Sequence, residues 1–176
     1  QFMLQQGQFV ADVLYFTGEG SPQVSKRAVP ELPPGYNFDA ASADVLLSPV
    51  RVENGQIVLP DGMSYRLLAL PPDLKNMTPD VLRRLRDLVA EGATLAGPKP
   101  YFSPSLRGYP QSDAEIRTLA DELWGKADAT SAAAHTVGRG RTFPAQPLSD
   151  VLSKLGIKAD FEYSGRQSDA SLVWLH

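Results

Sequence analysis

The chain has 176 residues, of which 43% are hydrophobic, and its 17 basic and 20 acidic side chains give a formal net charge of -3. The charges are intermixed, so no basic stripe indicates nucleic-acid binding, and no apolar run approaches the roughly 18 residues of a membrane span. The chain contains no cysteine and two histidines. Disulfides, thiolate metal sites and a cysteine nucleophile are therefore excluded, and we expect no metal site and no cofactor.

The first predicted strand, residues 10–16, is a nearly continuous apolar run that breaks at Gly18-Glu19-Gly20. Such a strand is typical of a parallel sheet that helices cover on both faces. The later apolar strands at residues 65–71 and 93–98 are its expected neighbours. Because open α/β sheets bind ligands at the carboxyl ends of their strands, Glu19 is expected at the functional edge.

A proline-rich loop over residues 21–36 follows the first strand. After it, Asp39 is predicted to cap a short helix with Leu46 and Leu47 on its buried face. The pair Asn54-Gly55 lies between two alternating runs and predicts a β-hairpin. The chain then turns at Asp61-Gly62 into the strand at 65–71.

The clearest helix in the sequence begins at Thr78-Pro79-Asp80. Threonine is a common N-cap, proline suits the first helical position, and an acidic residue there complements the helix dipole. Gly92 ends the helix directly before the strand at 93–98. The order strand, helix, strand predicts a crossover between parallel strands.

The last third of the chain begins with a second irregular segment, residues 99–111. Residues 112–115 (Ser-Asp-Ala-Glu) match a capping box and predict a helix that ends at Gly125. Residues 137–143 are interpreted as a turn into a strand, and a final helix is predicted to stop at Gly156. The chain is thus predicted to be α/β, with a mainly parallel sheet, helices on both faces and an inserted β-hairpin.

Both ends of the chain are typical of interior points in a longer polypeptide. Residues 1–6 are interpreted as the last turn of an upstream helix, and 172–176 as the start of a following, truncated element. One domain is therefore expected over residues 1–171.

Several kinds of active site are ruled out or disfavoured by motif. A thiol hydrolase needs a cysteine, and a serine hydrolase needs a Gly-x-Ser-x-Gly elbow, which does not occur. The glycine-rich residues 137–141 lack the phosphate-binding Walker pattern and are interpreted as a tight turn. His135 is expected to be exposed and without a catalytic role.

Carboxylates and aromatic residues in loops leave two interpretations open. Glycosidases use two carboxylates, and an independent enzyme would pair Glu19 with Asp39. The sequence favours a capping role for Asp39 and a turn or interface role for Glu19.

Aromatic rings in the proline-rich loops, with Phe102 and Tyr109 among them, either stack on sugars or anchor the loops to a core or a neighbouring domain. The candidate sugar-binding or domain-interface residues are Glu19, Tyr36, Asn37, Asp39 and Tyr101.

Four stretches together carry a family resemblance. They are residues 4–20, residues 35–39 (Gly-Tyr-Asn-Phe-Asp), residues 59–71 (beginning Leu-Pro-Asp-Gly-Met) and residues 168–176. With them the chain resembles, over nearly its whole length, an interior segment of the bacterial α-L-rhamnosidases of glycoside hydrolase family 106.

The resemblance implies a flavodoxin-like, class I glutamine amidotransferase-like domain, similar to the middle domain of some β-galactosidases. It also implies a catalytic (β/α) barrel upstream and β-sandwich domains downstream as partners. The acid and base glutamates would lie in the barrel, so no catalytic residue is assigned here. The expected function is a non-catalytic accessory domain, and the alternative is a carbohydrate-binding module for plant-type sugars. The parent is expected to be periplasmic or secreted.

Overall fold

The computed structural model of the chain describes residues 9–20, 30–126 and 133–160. The predicted upstream helix turn at 1–6, most of the loop at 21–36 and the predicted truncated element at 172–176 lie outside the described residues. The described strands are β1 (Val13–Phe16), β2 (Phe38–Ala41), β3 (Arg51–Glu53), β4 (Gln56–Val58), β5 (Ser64–Tyr65), β6 (Leu67–Ala69), β7 (Thr94–Ala96), β8 (His135–Val137) and β9 (Gly140–Phe143). The described helices are α1 (Ala43–Leu47), α2 (Pro79–Glu91), α3 (Gln111–Trp124) and α4 (Leu148–Leu155).

The larger sheet has six strands in the order β2-β1-β6-β7-β9-β8. Strands β2, β1, β6, β7 and β9 run parallel to one another, and β8 pairs antiparallel with β9 at one edge. Strand β1 pairs on both sides, with β2 and with β6. The prediction that the first apolar run forms an interior strand of a mainly parallel sheet is therefore confirmed.

Alternate side chains of β1 enter two separate cores. Leu14 and Phe16 pack into a cluster with apolar residues of α1, α2 and α3. Val13 and Tyr15 pack into a second cluster with residues of α4. Because successive side chains of a strand point to opposite faces, this division shows that helices cover both faces of the sheet, as predicted.

Helix α2 makes the crossover between β6 and β7, which pair in parallel. It begins at Pro79 after Thr78, and Gly92 follows its last residue with a φ of 128°. Side chains spaced along one helical stripe are buried. They are Val81, Leu82, Leu85, Leu88 and Val89.

The hairpin forms where Asn54-Gly55 predicts it. Both residues have positive φ, 52° and 80°, which the tight two-residue turn between β3 and β4 requires. The strand predicted at 65–71 divides between two sheets. Tyr65 belongs to β5 beside β4, whereas Leu67 begins β6, because the backbone N–H groups of Arg66 and Leu67 both donate to the Asp12 carbonyl.

The prediction that Asp39 caps a helix is wrong. Asp39 lies inside β2, opposite Leu14 of β1, and α1 begins at Ala43 after Ser42. Pairing with β1 extends the backbone here, and the Asp39 carboxylate is bound by a side chain from another strand instead of by a helix terminus. Leu47, predicted to be buried, is 48% exposed, whereas Leu46 is fully buried.

The capping box predicted at 112–115 is also wrong. Helix α3 already includes Gln111, so Ser112 is in its first turn, and Asp113 accepts a hydrogen bond from the backbone of Ser103 instead (2.9 Å). His135, expected to be exposed, is half-buried against Gly125. Among the described helices, none has both the length and the hydropathy that crossing a bilayer requires.

Candidate functional site

The carboxyl ends of β1, β6, β7 and β9 meet at one edge of the sheet, because these strands are parallel. The chain order reverses between β1 and β6: β2 lies on one side of β1, and the later strands of this sheet, β6 to β9, lie on the other. In open α/β sheets a crevice at such a reversal is the usual ligand site. The residues that follow β1, β6, β7 and β9 are therefore the strongest candidates for a functional site.

Glu19, just beyond β1, is bound to the beginning of α2. Its Oε2 accepts a hydrogen bond from the backbone N–H of Thr78 at 2.7 Å, and its Oε1 accepts one from the Thr78 hydroxyl at 2.5 Å. Thr78 occupies the N-cap position without making a side-chain cap bond of its own. The Glu19 carboxylate provides that cap, and its negative charge lies at the positive end of the helix dipole.

Asp39 is bound to Tyr65, whose hydroxyl donates to Oδ2 at 2.8 Å. The contact joins β2 of the larger sheet to β5 of the smaller one. Burial raises the pKa of Tyr65, and the hydrogen bond to Asp39 and the negative charges of Asp39 and Asp61 raise it further. Tyr65 thus stays protonated and keeps donating its proton to Asp39.

Tyr36 and Asn37 connect the loop before β2 to other elements. The Tyr36 hydroxyl donates to the carbonyl of Ile157, after α4, at 2.9 Å. The Asn37 carbonyl accepts from the backbone N–H of Asp12 at 3.2 Å. Both residues are half-buried, and these contacts give each of them a structural role.

A cavity of about 240 Å³ opens at the carboxyl edge, beyond β6, β7 and β9. Its lining is mostly proline, leucine, alanine and glycine, and none of the described lining residues carries an ionisable group. Among the described lining residues, Gln146 alone has a polar side chain, and its Oε1 accepts a hydrogen bond from Lys154 (2.8 Å). The lining residues are Pro30, Leu70, Pro72, Ala96, Gly97, Pro98, Ala145, Gln146, Pro147 and Leu148.

Tyr101 lies in the segment after β7, which carries four large apolar side chains that are exposed. We call this segment, residues 99–110, the aromatic loop. Tyr101, Phe102 and Tyr109 are 57%, 42% and 63% exposed. Leu106 is 86% exposed and was not among the sequence candidates. Its position between Ser105 and Arg107, in a proline-rich segment outside the predicted helices and strands, was the signal for it.

The five candidates from the sequence do not share a partner. Glu19 binds α2, Asp39 binds β5, and Tyr36 binds the residue after α4. Tyr101 donates its backbone N–H to the Lys75 carbonyl at 2.9 Å. Sequence reasoning missed the partners Thr78 and Tyr65, since nothing in the local pattern connects residues that are so distant in the chain.

The glycine-rich turn between β8 and β9 forms a tight turn, as interpreted. A Cβ on Gly138 would lie 2.4 Å from the Ala90 carbonyl oxygen, and one on Gly140 would lie 2.2 Å from that of Ala93. The backbone N–H of Arg139 donates to the Ala90 carbonyl. The glycines therefore allow the hairpin to pack against the end of α2. Across the described part of the chain, no group of three or more histidine, aspartate and glutamate side chains is placed to hold a metal ion.

The order and direction of the strands, with helices on both faces of the larger sheet, define an α/β protein with a mainly parallel central sheet. The chain belongs to the alpha-L-rhamnosidase family, glycoside hydrolase family 106, whose family model matches residues 1–176. The resemblance drawn from the sequence is thereby confirmed.

Two relatives that match this chain are much longer than it. It is 46% identical over 127 residues to a protein of Formosa agariphila named "Putative beta-glucuronidase", and the match covers 72% of this chain and 11% of that protein. It also superposes on the structure of a rhamnosidase from Novosphingobium sp. PP1Y with a TM-score of 0.78 and 28% sequence identity. That superposition covers 95% of this chain and 16% of the rhamnosidase chain. The chain thus spans a small part of both relatives.

Proposed function

We propose that this chain is a non-catalytic accessory domain of a multidomain, α-L-rhamnosidase-like glycoside hydrolase. The observation that carries the proposal is the use of the candidate carboxylates within the fold, together with an apolar carboxyl edge of the sheet. Glu19 and Asp39 are each bound to a structural partner, Thr78 and Tyr65, and the cavity at this edge is apolar. Glycoside hydrolysis needs two carboxyl groups that flank one bond. Glu19, beyond the end of β1, and Asp39, inside β2, are held by different partners instead.

The finer fold assignment is part of the same proposal. Numbered along the chain, the five parallel strands have the spatial order 2-1-3-4-5, which is the flavodoxin-like order. We assign the domain to the class I glutamine amidotransferase-like group of this fold. Amidotransferase chemistry of that type needs a cysteine nucleophile, and the chain contains no cysteine. The domain would therefore keep the scaffold without the reaction.

The hydrolytic groups would belong to the remainder of the parent polypeptide. Both relatives extend far beyond the region that matches this chain, which leaves room for a catalytic barrel and β-sandwich domains. The family name and the names of the relatives favour a rhamnose- or glucuronate-containing glycoside as the parent's substrate. A periplasmic or secreted parent fits such a substrate.

Kinetics of the complete polypeptide test this proposal. Glu19→Gln and Asp39→Asn should keep kcat on an aryl α-L-rhamnoside within about twofold of the parent value, because neither carboxylate takes part in proton transfer. Asp73→Asn, at an exposed position, controls for the loss of one charge. Circular dichroism at the assay temperature would verify that each variant is folded.

A fall in kcat of about 100-fold in a folded Glu19→Gln or Asp39→Asn variant would contradict the proposal, since that is the usual effect of removing an acid or base. Turnover of the aryl rhamnoside by the 176-residue chain alone would contradict it as well.

A carbohydrate-binding module is the second candidate, and the exposed rings of Tyr101 and Tyr109 favour it. Residues 100–110 contain no carboxylate and no carboxamide, which are the groups that usually bind sugar hydroxyls beside an aromatic ring. Calorimetry with rhamnose and plant oligosaccharides, on the parent and on a Tyr101→Ala/Tyr109→Ala variant, tests this candidate. Equal heats from both proteins at millimolar sugar would reject it.

A further inference from the structure

The aromatic loop concentrates the exposed apolar surface of the described chain. The described residues expose seven large hydrophobic side chains, and four of them, Tyr101, Phe102, Leu106 and Tyr109, are in this loop. Single exposed apolar residues are common on protein surfaces, whereas a group of them usually marks an interaction site. Within the described residues, this loop is therefore the strongest candidate for an interface.

The backbone of the loop is held in place. The Tyr101 N–H donates to the Lys75 carbonyl at 2.9 Å, and the Phe102 carbonyl accepts from the Met77 N–H at 3.2 Å. The Ser103 N–H donates to the Asp113 carboxylate at 2.9 Å. These bonds connect the loop to the segment before α2 and to the first turn of α3. The rings are thus exposed on an anchored backbone, and ordering them on binding would cost little entropy.

The two serine hydroxyls of the loop are used within the loop itself. The Ser103 hydroxyl accepts from the Ser105 N–H, and the Ser105 hydroxyl accepts from the Arg107 N–H. What the loop presents to solvent is mainly two tyrosines, a phenylalanine, a leucine and the Arg107 side chain. Aromatic residues and arginine are enriched in the cores of protein interfaces, and the other charged residues are depleted there.

We propose that the aromatic loop docks this domain onto another domain of the same polypeptide. The proposal rests on the accessory role proposed above and names the surface through which that role is carried out. The chain matches 11% of one relative and 16% of the other, so most of such a polypeptide lies outside this domain. Because that remainder is covalently attached, it stays close to the aromatic loop at a high effective concentration, which makes it the favoured binding partner of the loop.

Two other occupants fit the loop less well. A second copy, docked symmetrically through the same loop, would bring the two Arg107 side chains into one interface, and like charges there repel. Sugar hydroxyls are usually bound by carboxylate or amide groups beside the rings; residues 100–110 supply none, and the neighbouring Asp113 carboxylate already binds the Ser103 N–H. A polypeptide surface with apolar side chains at its centre and a carboxylate opposite Arg107 satisfies the chemistry of the whole loop.

Site-specific photo-cross-linking in the complete polypeptide tests the proposal. A benzophenone amino acid is placed at Leu106 and, as the matched control, at Ser153, an exposed position on α4. Because Leu106 is exposed, its substitution should not disturb the fold. Peptide mass spectrometry then identifies the partners. We expect an intramolecular cross-link from position 106 to a peptide outside residues 1–176, on the order of tenfold stronger than any from position 153, because an interface centre stays in contact.

Three results would overturn the proposal. They are a cross-link from position 106 that joins two molecules and strengthens with concentration, no cross-link beyond residues 1–176, and equal yields from positions 106 and 153. Added rhamnose or oligosaccharide that abolishes the cross-link would also overturn it, in favour of a sugar site.

The same preparations, assayed on the aryl rhamnoside, separate this proposal from the accessory role. Loss of the cross-link contradicts the docking surface alone. Turnover by the 176-residue chain contradicts the accessory role, whatever the cross-linking shows.

Discussion

The segments that follow β1 and β7 leave the same edge of the sheet and use their side chains in opposite ways. After β1, the Glu19 carboxylate is used inside the fold, where it binds the backbone and hydroxyl of Thr78. After β7, the aromatic loop uses its backbone and serine hydroxyls inside the fold, and its rings and Leu106 are left exposed. A carboxylate in a loop is thus no evidence of catalysis by itself, and exposed apolar groups on an anchored loop indicate a contact surface.

The largest loss of stability at this edge is expected at the close contact between Gly97, directly after β7, and Leu70, directly after β6. Gly97→Ala would place a Cβ 2.5 Å from the Cβ of Leu70, which is fully buried, at a backbone φ of 147°. We expect the free energy of unfolding to fall by about 2–4 kcal/mol, from strain and overpacking together. Urea unfolding followed by circular dichroism measures it.

Gly20→Ala is the matched control for that substitution, because no atom lies within 4 Å of the Cβ it would add. Its unfolding free energy should stay within about 0.5 kcal/mol of the parent. A similar loss in both variants would show that packing at Gly97 is not the cause.

The Glu19 cap is expected to have the next largest effect. Glu19→Ala removes two charge-assisted hydrogen bonds at the beginning of α2, and we expect a loss of about 1.5–3 kcal/mol in unfolding free energy. A double-mutant cycle with Thr78→Ala should give a coupling energy of about 1 kcal/mol between the two residues. Additive effects would mean that the two side chains do not act together.

Tyr65→Phe tests the bond between the two sheets. Removing the Tyr65 hydroxyl leaves the Asp39 carboxylate without this donor, and we expect the free energy of unfolding to fall by about 1 kcal/mol. Because folding raises the pKa of Tyr65 above its ordinary value of 10.0, the stability from the protonated phenol is complete below pH 10 and declines above it. The difference in unfolding free energy between parent and variant should therefore be constant up to pH 10 and narrow above it. A constant difference above pH 10 would contradict the raised pKa.

The smallest effect is expected in the aromatic loop. Leu106→Ser should change the unfolding free energy of the 176-residue chain by no more than about 0.5 kcal/mol, since 86% of the side chain is already in water. Leu46→Ser, at a fully buried position, is the contrasting control and should cost several-fold more. An equal loss of unfolding free energy in both variants would show that the loop packs on its own domain. The segment after β7 would then not differ from the segment after β1 in leaving its side chains exposed.

Local patterns were enough to predict the elements whose cause is local. Asn54-Gly55 made a hairpin because few residue pairs tolerate two successive positive φ angles. The apolar stripe and the terminal Pro79 and Gly92 placed α2 correctly. The first apolar run has no polar face, which predicted burial on both sides of the sheet. Alternate residues of β1 are indeed buried in two separate cores.

Errors occurred where a distant partner changed the role of a residue. Aspartate is a common N-cap residue, but pairing with β1 gives Asp39 an extended backbone. Its carboxylate then binds the hydroxyl of Tyr65. Asp113 was predicted within a capping box and instead binds the backbone of the aromatic loop.

The sequence alone was sufficient for the α/β class, the parallel crossover and the hairpin, because composition, periodicity and turn chemistry act over a few neighbouring residues. The family followed from a resemblance carried by four stretches of the chain. The tertiary structure alone decided that Glu19 caps α2, that Asp39 joins two sheets and that Leu106 lies on an open surface. The physical reason is that hydrogen bonding and burial depend on which elements meet in space, over separations of 59 residues for Glu19 and Thr78 and 26 for Asp39 and Tyr65.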